Sequence, residues 1–306
     1  MKVSYLLRRY EEGEKDFAGA DLSGADLSKV TLIGVNLKGA NLMGANLSRA
    51  FLTKSDLCGA NLNWANLSFA KMSEANLVKA DLTKANLSGA FMVKCQLIGA
   101  KLSGASLCGT NLRAANLWGA NLCGANLQRA NLREANLSSV NLNWANLGQG
   151  RLIGARLSGA SLNGVNFTKA FLKGLDLSGV SLERVKLNEA KLAGANLEGA
   201  NLEGADLGEA HLRQVNLKGA DLTKANLAGA SLEQANLTWT ILIKADLSDA
   251  NLSEAMLRGA NFEDAQLTGA ILPESPPNTF SSKAAAPGIR QIESSVSLEW
   301  IRGSCR

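Results

Sequence analysis

The chain has 306 residues, a formal net charge of +5, and a composition that is 46% hydrophobic but only 5% aromatic. No stretch approaches the ~20 consecutive apolar residues of a membrane-spanning helix. A single histidine, His211, leaves any histidine-based catalysis one candidate base.

At the start of the chain, Val3, Leu6, Leu7 and Tyr10 stand at i, i+3, i+4 and i+7. That spacing predicts a short helix with one apolar stripe, and Gly13 suits its C-terminal stop. Charged residues come directly after it, which argues against a signal peptide. Residues 1–15 are read as a helical cap covering the open edge of the repeats that begin at residue 16.

From Phe17 to Leu272 an apolar residue returns every fifth position without a skip. Of these 52 centres, 47 are Leu, three are Phe and two are Met (Met72, Met92). Two residues before each centre, from position 20 to 270, 38 of 51 residues are Ala, and Asn or Asp usually lies between. An α-helix turns ~100° per residue, so this period would scatter the leucines around its axis. A continuous strand alternates faces, so an odd period would send every second leucine outward. The chain must therefore turn after each short extended piece. Gly recurs two residues after the centre, as at Gly194 and Gly199, where a corner calls for positive φ. One buried Leu contributes ~1.5–3 kcal/mol, while ordering each backbone costs ~1–2 kcal/mol. Single repeats cannot fold alone, and stability comes from stacking neighbours.

Among the departures, Gly150 replaces the inward Ala and predicts a small void. All four prolines lie beyond the last centre, as expected if every repeat backbone donates to a ladder. Residues 273–306 read as a Pro/Ser-rich linker and tail, either folded back on the last coil, disordered, or bound to a partner.

The beat resembles the pentapeptide-repeat family, whose pattern is Ala-(Asn/Asp)-Leu-x-x, over residues 16–272. Similar helix-then-repeat openings occur in cyanobacterial members, including regulators of heterocyst differentiation. The resemblance implies an all-β fold, a right-handed quadrilateral β-helix with four pentapeptides per coil. On that basis the 52 centres make 13 coils, and at ~4.8 Å per coil a length of roughly 60 Å.

Four repeats per coil define four faces, named by the centres Leu22, Leu27, Leu32 and Leu37. The Leu32 face carries net +5 over the repeats, against −2, −1 and +1 for the Leu22, Leu27 and Leu37 faces. The column just before its centres also loses Asn and Asp, reading Thr31, Phe51, Lys71, Phe91, Asn111, Asn131, Arg151, Phe171, Lys191, His211, Ser231, Asn251, Ile271. Three phenylalanines expected to be exposed interleave there with basic side chains. The candidate partner-binding residues are Phe51, Lys71, Phe91, Lys94, Arg113, Arg133, Arg151, Phe171, Lys173, Lys191, His211 and Arg213.

Stacked residues are spaced by 20, and no pair among Cys58, Cys95, Cys108 and Cys123 is so spaced. No disulfide, metal site, cofactor or catalytic residue is expected, and free thiols suit a reducing cytosol. The reading is a non-enzymatic cytoplasmic bacterial adaptor, regulatory in role, with a protein partner and no membrane. An end-to-end dimer stays open. The alternative is a mimic of duplex DNA that inhibits or protects a nucleic-acid enzyme, for which the gyrase-protecting members of the family are the precedent. A mimic should be anionic, and this chain is positive; its modest charge also argues against binding nucleic acid itself.

Overall fold

The computed structural model describes residues 1–274. By compactness the chain divides into two units, Met1–Val165 and Asn166–Arg306. The reading of the tail beyond residue 274 lies outside the described residues.

Helix α1 spans Val3–Glu11, and its one fully buried side chain is Leu6. It ends in a Schellman arrangement, in which Glu14 N–H donates to Arg9 C=O and Gly13 N–H to Tyr10 C=O, each at 3.0 Å, with Gly13 at φ +99°. The helix is pinned to the first coils from both ends. The Tyr10 hydroxyl donates to Ile33 C=O at 2.9 Å, and the amino group of Met1 donates to Asp21 C=O.

In both units the backbone repeats every 20 residues. In unit 1, parallel bridges run from Asp16↔Asn36 to Asn141↔Ser161, and in unit 2 from Asn166↔Lys186 to Asn251↔Ile271. Each coil therefore holds four pentapeptides. The expected short strands are reduced to isolated bridges at the residue before each centre.

A single repeat, residues 40–44, shows how the backbone donors are satisfied. Asn41 N–H donates to Ala20 C=O on the preceding coil. Leu42 and Gly44 donate to Asn61 and Asn63 C=O on the next one, at 2.7 and 2.8 Å. The N–H of Ala45, which opens the next repeat, closes a turn on Leu42 C=O. The remaining donor, Met43 N–H, is taken by the side-chain Oδ1 of Asn41 at 3.3 Å. Buried or half-buried donors left unpaired would each be costly, and this repeat leaves none.

The corner at Gly44 belongs to the ladder, and that fixes its conformation. All 51 corner positions from Gly19 to Gly269 have positive φ, and 27 of them are not glycine. Lys, Glu, Arg, Trp and Asp all adopt it, at a cost of about 1 kcal/mol or more each. Inter-coil bonding rather than glycine dictates the corner.

Inside, the leucine centres from Leu22 to Leu252 are at most 2% exposed. Where a polar residue replaces the inward Ala, it donates to a carbonyl: Thr110 to Leu87 at 2.9 Å, Thr240 to Leu217 and Ser55 to Leu52 at 2.8 and 2.7 Å. The expected void at Gly150 is not there. A Cβ at that position would sit 2.8 Å from Leu147 C=O, so the backbone itself occupies the space.

Asp21, Asp26 and Asp176 are held below the ordinary carboxylate range, first by the hydroxyl of the serine two residues on, then by its N–H; the amide of the Asn one coil ahead adds to this. A lowered folded pKa contributes stability that is present above the unfolded value of ~3.9 and is lost as pH falls through the folded one. Melting followed by circular dichroism should therefore shift to lower temperature between pH 5 and pH 2. The Asp21→Asn/Asp26→Asn/Asp176→Asn variant should show a shallower dependence, and an unchanged slope would refute the assignment. Leu107→Asp should lower stability by several kcal/mol, since it buries an unpartnered charge; a wild-type melt would show that the centres do not point inward.

Candidate functional site

The coil spacing brings the Leu32-face residues into one column per unit. In unit 1 parallel bridges link Thr31, Phe51, Lys71, Phe91, Asn111, Asn131 and Arg151; in unit 2 they link Phe171, Lys191, His211, Ser231, Asn251 and Ile271. Lys71, Phe91, Lys94, Arg113 and Arg151 are exposed in unit 1, and Lys173, Lys191, His211 and Arg213 in unit 2. Phe51, Arg133 and Phe171 are half-buried.

The expectation of three exposed phenylalanines is therefore corrected: of the three, only Phe91, at 48%, is exposed. The cause is the next coil. Lys71 Nζ lies 4.6 Å from the centre of the Phe51 ring, and Lys191 Nζ lies 4.6 Å from that of Phe171. The lysine stems cover the rings while their charges stay in water. Part of the positive charge is also answered on the face, by Lys54–Glu74 at 4.0 Å and Arg113–Glu134 at 3.9 Å. Both pairs are exposed and contribute little to stability.

What sets this column apart is the work its side chains no longer do. On the other faces an Asn or Asp Oδ1 accepts the N–H two residues on, and the amide of the Asn one coil ahead often donates to the same oxygen. Asn61 donates to Asn41 and Asn76 to Asp56, at 3.2 and 3.0 Å. On the Leu32 face, among the described residues, only Asn111, Asn131 and Asn251 keep the turn, and Asn131 donates to Asn111 across coils at 3.2 Å. The positions that give up the turn hold Phe, Lys and His instead.

The sequence reading missed a second set of aromatic side chains. Trp144 is 70% exposed, Trp64 63%, and Trp239 55%. All three sit at corners on other faces, two residues after a centre. Their left-handed backbone lays the ring on the next coil, where Trp144 and Trp239 cover Gly164 and Gly259. Trp64 meets Lys84, whose Nζ is 4.5 Å from its centre. For Trp144 and Trp239 the missing signal was an aromatic at the corner with Gly 20 residues later. Buried Cys95 is an inert thiol, pushed up to about 12 by burial.

Eight copies of the family model described as Pentapeptide repeats match residues 20–59, 60–95, 92–129, 115–149, 151–184, 181–219, 205–242 and 235–272. Among solved structures the chain is similar to HetL, a pentapeptide repeat protein involved in heterocyst differentiation regulation from the cyanobacterium Nostoc sp. strain PCC 7120. The identity is 31%, over 90% of this chain and 98% of that one, with a TM-score of 0.29. Rfr23, a pentapeptide repeat protein from the cyanobacterium Cyanothece 51142, is 26% identical over 52% and 98% of the two chains, with a TM-score of 0.24. QnrB1, a plasmid-mediated fluoroquinolone resistance protein, is 15% identical over 82% and 94%, with a TM-score of 0.33. A search of curated proteins found no match.

Stacking at the corners gives a direct expectation. A Cβ at Gly164 would lie 2.3 Å from the Trp144 ring and take φ +65°. Gly164→Ala should displace the ring, changing tryptophan fluorescence and lowering stability by about 1–2 kcal/mol. Unaltered emission and melting would mean that the ring does not rest there.

Proposed function

Because the chain belongs to the pentapeptide-repeat family, we propose that it is a non-enzymatic protein–protein interaction adaptor with a regulatory role, folded as a right-handed quadrilateral β-helix of about 13 coils. The observation that carries this reading is the Leu32 face. Its column gives up the Asn/Asp turn that stabilises the other three and carries Phe, Lys, Arg and His instead. Surplus stability is forgone where a surface serves something else. A regulatory role is supported by the likeness to HetL, which is described as involved in heterocyst differentiation regulation. We place the protein in the cytosol, because Cys58, Cys95, Cys108 and Cys123 are free thiols.

Mimicry of duplex DNA is the weaker reading. A duplex presents a dense anionic surface, whereas this chain carries net +5 and its odd face is the most cationic of the four. QnrB1, at 15% identity, lends that reading no weight.

In this reading the exposed Phe91 is the apolar anchor, while Lys94, Arg113 and Arg151 set the encounter rate and its salt dependence. Affinity capture from the source cell should recover a defined partner with wild-type protein. Recovery should fall at least about tenfold with Phe91→Ala/Lys94→Glu while melting stays within about 0.5 kcal/mol. Lys38→Glu/Lys186→Glu, on the Leu37 and Leu27 faces, is the control. Equal recovery from all three proteins would remove the face from consideration, and protection of gyrase in a supercoiling assay would favour the mimic.

A further inference from the structure

The lost Asn/Asp turns leave a consequence in the backbone. On the Leu32 face of unit 1 the N–H groups of Ile33, Thr53, Ser73 and Val93 have no acceptor among the described residues: Phe51, Lys71 and Phe91 carry no side-chain acceptor, and the Thr31 hydroxyl makes no such bond. In unit 2 the same holds for Lys173, Ala193, Arg213 and Glu233. Elsewhere among the described residues such gaps occur, as at Ile98, Ser103 and Cys108, but never on successive coils of one face. The corresponding carbonyls are not free: Thr53 and Ser73 C=O accept from Gly34 and Lys54 at 2.9 and 3.0 Å. Each unit therefore displays four consecutive donors without matching acceptors. At ~4.8 Å per coil each row is about 14 Å long.

The donors face outward. Wherever the turn is made, the acceptor reaches the N–H from the side chain of an outward-facing residue, as Asn61 Oδ1 does for Asn63 at 3.2 Å. A row of backbone N–H groups with no carbonyls favours anions. The side chains around it agree in sign. Lys54, Lys71 and Lys94 against Glu74 flank the row in unit 1, and Lys173, Lys191 and Arg213 against Glu233 flank it in unit 2.

We propose that these donor rows bind the side-chain carboxylates of an acidic polypeptide segment, which accept hydrogen bonds from Thr53, Ser73 and Val93 N–H in unit 1 and from the equivalent groups in unit 2. This rests on the adaptor reading of the same face and names the partner's chemistry. A carboxylate has only acceptors, and its hydrogen bonds are strengthened by charge. The net of two positive charges per row suits a few carboxylates. Duplex DNA brings one phosphate charge per ~1.7 Å of axis, several times what either row can answer.

The test separates the donors from the rings beside them. Phe51→Asn/Phe91→Asn restores an internal acceptor for Thr53 and Val93 N–H, using the residue that fills this position on the other faces. Phe51→Ala/Phe91→Ala removes the same rings but leaves the donors open. With purified full-length protein and a short poly-L-glutamate peptide as probe, the wild type should bind saturably, with amide chemical shifts changing at Thr53, Ser73 and Val93. The Asn variant should fold and melt no lower than wild type while binding in unit 1 weakens about tenfold. The Ala variant, which loses the Phe91 anchor but keeps the donors open, should bind at least about threefold more tightly than the Asn variant. Equal affinity of the Asn and Ala variants, or shifts spread evenly over all four faces, would overturn the proposal. So would tighter binding of an oligothymidylate of similar length, which would assign the row to nucleic acid. Failure of the cellular capture experiment with the peptide result intact would instead count against the adaptor reading alone.

Discussion

The structure depends on a set of backbone hydrogen bonds that run between coils at three of every five residues. The bridge residue donates back to the preceding coil, while the centre and the corner donate forward to the next, as Asn41, Leu42 and Gly44 do at 2.9, 2.7 and 2.8 Å. From that arrangement come the square coil, the inward Leu and Ala, and the left-handed corners. It also explains why 27 corners tolerate Lys, Glu, Trp and other residues with a Cβ. The local strain of each is outweighed by a ladder bond and by the burial of a leucine beside it.

The fifth donor, on the residue after the centre, is different because the ladder does not reach it. It needs a side chain, and Asn or Asp supplies one from two residues before. The Asx position is therefore where the fold can give something up without losing a coil. On the Leu22, Leu27 and Leu37 faces the chain mostly keeps the turn. On the Leu32 face it gives it up for runs of four, in unit 1 and again in unit 2, and places Phe, Lys and His there. Function and structural economy thus meet at one position of the repeat.

Much of this was legible in the sequence. The period of five excludes helix and continuous strand, and the centres it marks are the residues the structure buries. The stripe of Val3, Leu6, Leu7 and Tyr10 marks α1, and the loss of Asn and Asp marks the odd face. Other features depend on the neighbouring coil and are not written in any one repeat. Phe51 looks exposed until Lys71 is known to lie over it, and Gly150 looks like a void until Leu147 C=O is placed. Trp64, Trp144 and Trp239 look like ordinary outward residues until the corner lays their rings on the next coil. The role of Asn and Asp as acceptors for the fifth donor was likewise invisible, because it needs the turn geometry and not only the spacing.

Amide hydrogen exchange, read residue by residue in unit 1, tests this division of the donors most directly. In each repeat of the odd face the ladder donors Leu52 and Lys54 should be strongly protected and Thr53 between them should exchange fast, with Ser73 and Val93 behaving like Thr53. On the other faces Asn63, Ser68 and Val78, whose N–H groups are held by Asn61, Asn66 and Asn76 Oδ1, should be protected. Fast exchange on successive coils of the odd face, with no such run along any other face, is the predicted result. Equal protection of Thr53, Ser73 and Val93 with Asn63, Ser68 and Val78 would contradict the account.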